Sequence, residues 1–154
     1  MINFCYCDFP IGRIYISEEN GFITNVALHE ITATDNCRNR RTAVIDEAVK
    51  QLTEYFDGKR KVFDLPLNPQ GTEFQRNVWT ALTEIPYGKV CSYQDIAVKI
   101  GNPKAVRAVG GANNKNPILI IIPCHRVIGK DGSLVGYGGG LEIKKYLLSL
   151  EHNK

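Results

Sequence analysis

The sequence predicts an α+β chain in two parts: a small antiparallel sheet with a covering helix in residues 1–69, then a helical half carrying a helix-turn-helix in residues 70–154. Three observations predict it. Apolar residues alternate along the first 35 positions and take helical spacing from Thr42. The stretch Leu65-Pro66-Leu67-Asn68-Pro69-Gln70-Gly71 is punctuated by proline and glycine, which marks a boundary. Across it the formal charge changes from −2 in residues 1–69 to +5 in residues 70–154. A basic half beside a mildly acidic one fits a nucleic-acid surface confined to part of the chain, and equally an ordinary solvated face.

Taken in order, Asn3-Phe4-Cys5-Tyr6-Cys7, Gly12-Arg13-Ile14-Tyr15-Ile16 and residues 22–28 read as strands, and Asn20-Gly21 between the last two is a hairpin signal. Residues 42–56 place Val44, Ile45, Ala48, Val49, Leu52 and Phe56 on one helical stripe that Asp57-Gly58 closes. Thr72-Glu73-Phe74-Gln75 has capping-box spacing and opens a helix with Phe74, Val78, Leu82 and Ile85 on one face, ended by Pro86. Val90-Cys91 is a short extended piece. Ser92-Tyr93-Gln94-Asp95 is a second capping signature, for a helix that stops at Gly101. Asn102-Pro103 predicts a third helix at once, running to about Ala112. Two short helices so joined have the layout of a helix-turn-helix, and equally of an αα-hairpin packed into a core. The third helix is rich in Ala and Gly, which would let its backbone lie close to a partner. Residues 118–122 predict a buried strand or extended segment that delivers Pro123-Cys124-His125-Arg126, and residues 141–150 form a last helix.

At 44% hydrophobic and 23% charged residues the chain is not disordered, fibrous or collagen-like. Its longest apolar run is far short of the roughly 20 residues of a membrane span, and its start lacks a signal-peptide pattern, so a cytoplasmic location without a membrane partner is expected. Five cysteines without a CxxC pair argue against a disulfide scaffold. Cys5, Cys7, Cys37 and His29 lack the usual zinc-ligand pairing, so no metal is expected.

Cys124 stands out among the five thiols. The nucleophile is the thiolate, and the cations of His125 and Arg126 are expected to favour it; an isolated cysteine elsewhere in the chain reads as a small buried hydrophobe. Successive residues on a strand point apart, so His125 would act on Cys124 only through a kink or a water. Glu151 is one acceptor that would orient the imidazole, although no spacing selects it over a solvated role.

Pro123-Cys124-His125-Arg126-Val127-Ile128 resembles the PCHRV motif of the O6-alkylguanine-DNA alkyltransferases. Ser92-Tyr93-Gln94, the run from Gly101-Asn102-Pro103-Lys104 through Gly110-Gly111-Ala112, Asn116-Pro117, the glycine-rich residues 136–140 and residues 141–151 resemble that family in the same order and spacing. The resemblance implies a ribonuclease H-like N-terminal domain, a winged helix-turn-helix, and DNA repair by irreversible, stoichiometric transfer of an alkyl group from O6-alkylguanine in double-stranded DNA, with O4-alkylthymine as a second substrate. An alkyl carbon inside a duplex is out of reach for in-line attack, so the base must be flipped.

By the same resemblance Cys124 is the acceptor, His125 the base acting through a water, Glu151 its orienting partner, and Asn116 the residue fixing the turn before the cysteine. Tyr93 lies beside the flipped base, or is simply a core tyrosine. Arg107 fills the vacated stack, or contacts phosphate. Ala105, Ala108, Gly110, Gly111, Ser92 and Gln94 complete the DNA surface, and Pro123, Val127, Tyr137 and Gly138 line the pocket. Some relatives carry serine where this chain has Gly138, so a hydroxyl contact is lost there. The thioether product is a poor leaving group, hence one turnover and no cofactor; a monomer able to cooperate along DNA is expected. A lesion-binding protein without transfer and a Cys-His hydrolase are the competing classes; the first normally lacks the cysteine, and the second leaves the helix-turn-helix unexplained.

Overall fold

The computed structural model describes residues 1–28, 35–134, 137 and 140–152. The chain divides into two compact units, Met1–Pro69 and Gln70–Lys154.

In the first unit β1 (Ile2–Phe9), β2 (Gly12–Glu19), β3 (Phe22–Ala27) and β4 (Cys37–Asn39) form one sheet in the order β3-β2-β1-β4. Asn20 and Gly21 take positive φ values of 55° and 84°, as a tight hairpin between β2 and β3 requires. The sheet is antiparallel through β3-β2-β1, and β4, a three-residue strand that alternation did not mark, adds parallel to β1. Helix α1 (Ala43–Phe56) buries Ile45, Ala48, Leu52 and Tyr55, and its Phe56 stacks on Phe9 at 5.4 Å. The β1 face that carries Phe9 also carries Cys5 and Cys7, and burial pushes the Cys5 thiol up to about 12, which leaves it inert at neutral pH. Among the described residues no three His, Cys, Asp or Glu side chains come together; His29 lies outside them.

In the second unit both capping signatures close as read. Thr72 caps α2 (Glu73–Leu82) reciprocally with Gln75, and Ser92 caps α3 (Tyr93–Lys99) with Asp95. Trp79, the chain's single tryptophan, is buried and donates to the carbonyl of Ala112, tying α2 to α4 (Val106–Asn114). α3 ends in a Schellman turn in which Asn102 N–H reaches the carbonyl of Ala97 and Gly101 adopts φ 80°.

Two expectations need correction. The third helix does not start at Asn102-Pro103: the Ala105 N–H bonds to the Asn102 carbonyl, making a turn of residues 102–105, and α4 begins only at Val106. Asn102 and Pro103 signal a β-turn as strongly as a helix start, and here the turn wins. Residues 118–122 are not a strand either. The Ile122 N–H returns to the carbonyl of Ile118, and Ile120 sits at φ 72°, a strained setting for a β-branched residue. All five side chains are buried, so the apolar run reports burial on every side and not an extended backbone. The turn leads into a short 3-10 segment (Cys124–Arg126), then β6 (Val127–Ile128), which pairs parallel to β5 (Cys91–Ser92); α5 (Leu141–His152) closes the unit.

Candidate active site and nucleic-acid interface

Asn116 holds the entry to the cysteine. Its side chain donates to the carbonyl of Ile122 at 2.7 Å and accepts from the N–H of Ile118 at 3.0 Å, clamping both ends of the strained turn. Cys124 follows at 1% exposure, with Pro123 and Val127 also buried beside it.

Burial raises the Cys124 thiol to about 11, against smaller opposing effects from hydrogen-bonding groups of Asn116 and Tyr137 and from the charge of Lys144. This corrects the expectation that His125 and Arg126 promote the thiolate. Both turn away from the sulfur and toward Glu151, and the cation that acts on Cys124 is Lys144. That residue was missed from the sequence. It is fully buried on α5, its Nζ donates to the carbonyl of Val127 at 2.6 Å, and it lies 6.0 Å from the centre of the Tyr93 ring. A signal existed: Lys144, Leu147 and Glu151 share one helical face at i, i+3 and i+7, so two charges interrupt the stripe that faces inward.

Glu151 is the hub. Its Oε2 meets His125 Nε2 at 2.7 Å, and Arg126 binds it in a fork through Nε at 2.8 Å and Nη2 at 3.0 Å. Arg126 also donates to the carbonyl of Ile85, and the Gly88 N–H donates to Glu151. A carboxylate so bound to a guanidinium is ionised and can only accept, so Nε2 of His125 carries the hydrogen and Nδ1 carries the lone pair. Nδ1 is buried with no hydrogen-bond partner among the described residues. Burial lowers the His125 pKa, as do the charges of Arg126 and Lys144, and Glu151 offsets them in part. The imidazole is therefore neutral at pH 7 and presents a basic nitrogen.

A histidine whose pKa falls on folding stabilises the fold above its ordinary value of 6.5 and withdraws that support as pH drops through the lower folded value. The urea midpoint of this unit, followed by Trp79 fluorescence, is expected to fall below about pH 6.5 in the wild type and to fall less in His125→Gln. An equal fall in both would contradict this origin.

Around this line sit Tyr93 and Tyr137. Burial raises both phenols, so each stays protonated and able to donate. The Tyr93 ring lies beside Gly110, where a Cβ would touch the ring at 3.9 Å. On α4, Arg107, Ala108 and Gly111 are exposed in one strip, and Ala105, just before it, is half-buried. Ser92 and Gln94 are engaged internally, Ser92 in its cap and Gln94 with the carbonyl of Pro103 at 3.1 Å. Gly138 lies outside the described residues.

A helix-turn-helix whose second helix offers small residues and one arginine, set above a buried Cys with a neutral His and an ionised Glu, defines a DNA-binding protein with a thiol acceptor. Residues 73–153 match the family model described as "6-O-methylguanine DNA methyltransferase, DNA binding domain", and residues 2–69 match "6-O-methylguanine DNA methyltransferase, ribonuclease-like domain". The chain belongs to the 6-O-methylguanine DNA methyltransferase family. It is 64% identical over 150 residues to a methylated-DNA–protein-cysteine methyltransferase of Methanosarcina barkeri, covering 94% of this chain and 93% of that protein. It is 49% identical over 149 residues to the constitutive enzyme of Bacillus subtilis, covering 92% and 90%. The crystal structure of Mycobacterium tuberculosis OGT in complex with DNA superposes with a TM-score of 0.92 at 46% identity, covering 98% of this chain and 93% of that one. Among the described residues no helix is long and apolar enough to cross a membrane.

Proposed function

We propose that the chain repairs duplex DNA by moving the alkyl group of a flipped O6-alkylguanine onto Cys124, once per molecule, as a monomer in the cytoplasm. The observation that carries this reading is the buried Nδ1 of a neutral His125, without a hydrogen-bond partner among the described residues, next in sequence to the buried thiol. Among the described residues no side chain reaches Nδ1, and the Cys124 proton passes to it through one bridging water. The thiolate then attacks the alkyl carbon in line. The S–C bond forms as the C–O6 bond breaks, the base keeps the electron pair, and a donated proton converts it to guanine. Tyr93, protonated and beside α4, is assigned as that donor and is reprotonated from the His125 imidazolium, so that the proton of Cys124 ends on the guanine.

The high resting pKa of Cys124 has a role in this scheme. A thiol that ionises only at about 11 is protonated at neutral pH, so its proton must be drawn off toward His125 before it can attack. Asn116 and Lys144 hold its surroundings. Val127, Pro123 and Tyr137 are assigned to the wall, and Gly138, where some relatives have serine, offers no hydroxyl contact.

DNA contact is assigned to residues 70–154. Ala105, Ala108, Gly110 and Gly111 let α4 lie close to the duplex, Ser92 and Gln94 fix the preceding turn against it, and Arg107 enters the space that the base leaves. Arg107→Ala is expected to slow repair of duplex O6-methylguanine roughly ten- to hundredfold, the order of a few kcal/mol of unstacking, and to leave reaction with free O6-benzylguanine nearly unchanged, because a free base needs no flipping. Equal losses on both substrates would reject the finger role.

The test of the whole reading is the intact mass of the protein after incubation with a duplex containing one O6-methylguanine, followed by peptide mapping. One methyl group per protein on the Cys124 peptide is expected. Binding without any mass gain would make the chain a lesion detector.

A further inference from the structure

Asn113 is 1% exposed and faces the cysteine segment. It sits on the buried side of α4, next to Ala112, two residues beyond the exposed Gly111. Its Nδ2 donates to the backbone carbonyl of Cys124 at 3.4 Å. That carbonyl can only accept, which fixes the amide orientation and makes the other amide atom an oxygen. This Oδ1 is buried and has no hydrogen-bond partner among the described residues. A buried acceptor left unmatched costs free energy, so its retention beside the reactive residue calls for a donor that arrives with the substrate.

An O6-alkylguanine base offers a single donor. Its O6 is alkylated, N1 has lost its hydrogen, N3 and N7 are acceptors, and N9 is bonded to the sugar; the exocyclic 2-amino group alone carries N–H bonds. We propose that Asn113 is a specificity-determining residue whose Oδ1 accepts a hydrogen bond from the 2-amino group of the flipped base. The inference rests on Cys124 being the acceptor, since that assignment brings the base to this corner. It implies discrimination against alkylated bases without that amine, O6-methylhypoxanthine and O4-methylthymine among them, because they leave Oδ1 unpaired.

The experiment compares rates of methyl transfer to the full-length protein from two matched duplexes, one with O6-methylguanine and one with O6-methylhypoxanthine. In the wild type the 2-amino group is expected to be worth roughly ten- to hundredfold. Asn113→Leu, which removes the oxygen at similar size, is expected to bring that ratio close to one. Asn113→Asp, which keeps an acceptor oxygen, is expected to retain most of it. Native Trp79 fluorescence certifies the fold of each variant, with Asn113→Ala, which likewise lacks the oxygen, as the replacement if the leucine variant does not fold. A wild-type ratio near one, a leucine variant that keeps the wild-type ratio, or an aspartate variant that loses it as fully as leucine would overturn the proposal. If the wild type itself takes no methyl group from O6-methylguanine, the function fails and not merely this contact.

Discussion

Replacement of Cys124 by alanine is expected to abolish methyl transfer and to leave duplex binding in place. The surface assigned to DNA is the exposed strip of Arg107, Ala108 and Gly111 on α4, and Cys124 is 1% exposed, so its sulfur contributes no contact to an unflipped duplex. The alanine variant is also sterically smaller, which leaves the base pocket open. Affinity for an O6-methylguanine duplex, measured by fluorescence anisotropy at fixed salt, is expected to stay within about threefold of the wild type, because the phosphate contacts that dominate such binding are untouched. Mass spectrometry is expected to show no methyl gain at all. Residual methylation at another cysteine would overturn the assignment. Cys5 and Cys91, whose thiols burial pushes up to about 12 and about 11, lack any paired histidine among their described neighbours.

Glu151→Gln is expected to be the most damaging polar substitution in the second unit. The carboxylate, 3% exposed, receives His125, both arms of Arg126 and the Gly88 N–H. Neutralising it strands a buried guanidinium, and breaking such a pair typically costs about 3–5 kcal/mol. With a urea dependence of roughly 1–3 kcal/mol/M, the midpoint is expected to drop by at least about 1 M. Trp79 is the reporter, since it is the only tryptophan and lies between α2 and α4. Transfer is expected to fall as well, because an amide in this position can donate to Nε2 and so place the hydrogen on Nδ1, the nitrogen that must accept the cysteine proton. A midpoint within about 0.3 M of the wild type would show that Arg126 finds compensation elsewhere.

Helix starts were legible wherever a side chain caps its own backbone within three residues. Thr72 with Gln75 and Ser92 with Asp95 are such cases, and both boundaries were read correctly. The start of α4 was misread by three residues because Asn102-Pro103 satisfies a turn and a helix start equally, and neighbouring packing chooses between them. The 118–122 run was misread for a different reason. Periodicity distinguishes a surface helix from a half-buried strand, but five consecutive apolar residues buried on all sides have no polar phase to read.

The active-site cysteine, its histidine and the family they belong to were set by the local string Pro123-Cys124-His125-Arg126 and its companions, since motif chemistry is carried by adjacent residues. What that string could not contain is the direction in which its own side chains turn. The 3-10 segment aims His125 and Arg126 at a carboxylate 26 and 25 positions away, and leaves Cys124 to the charge of Lys144 on the same distant helix. The tautomer of His125, the closed thiol and the unmatched oxygen of Asn113 follow from burial and long-range partners. Those are properties of the packed unit, because desolvation and Coulomb energy depend on distances in space and not on separation along the chain.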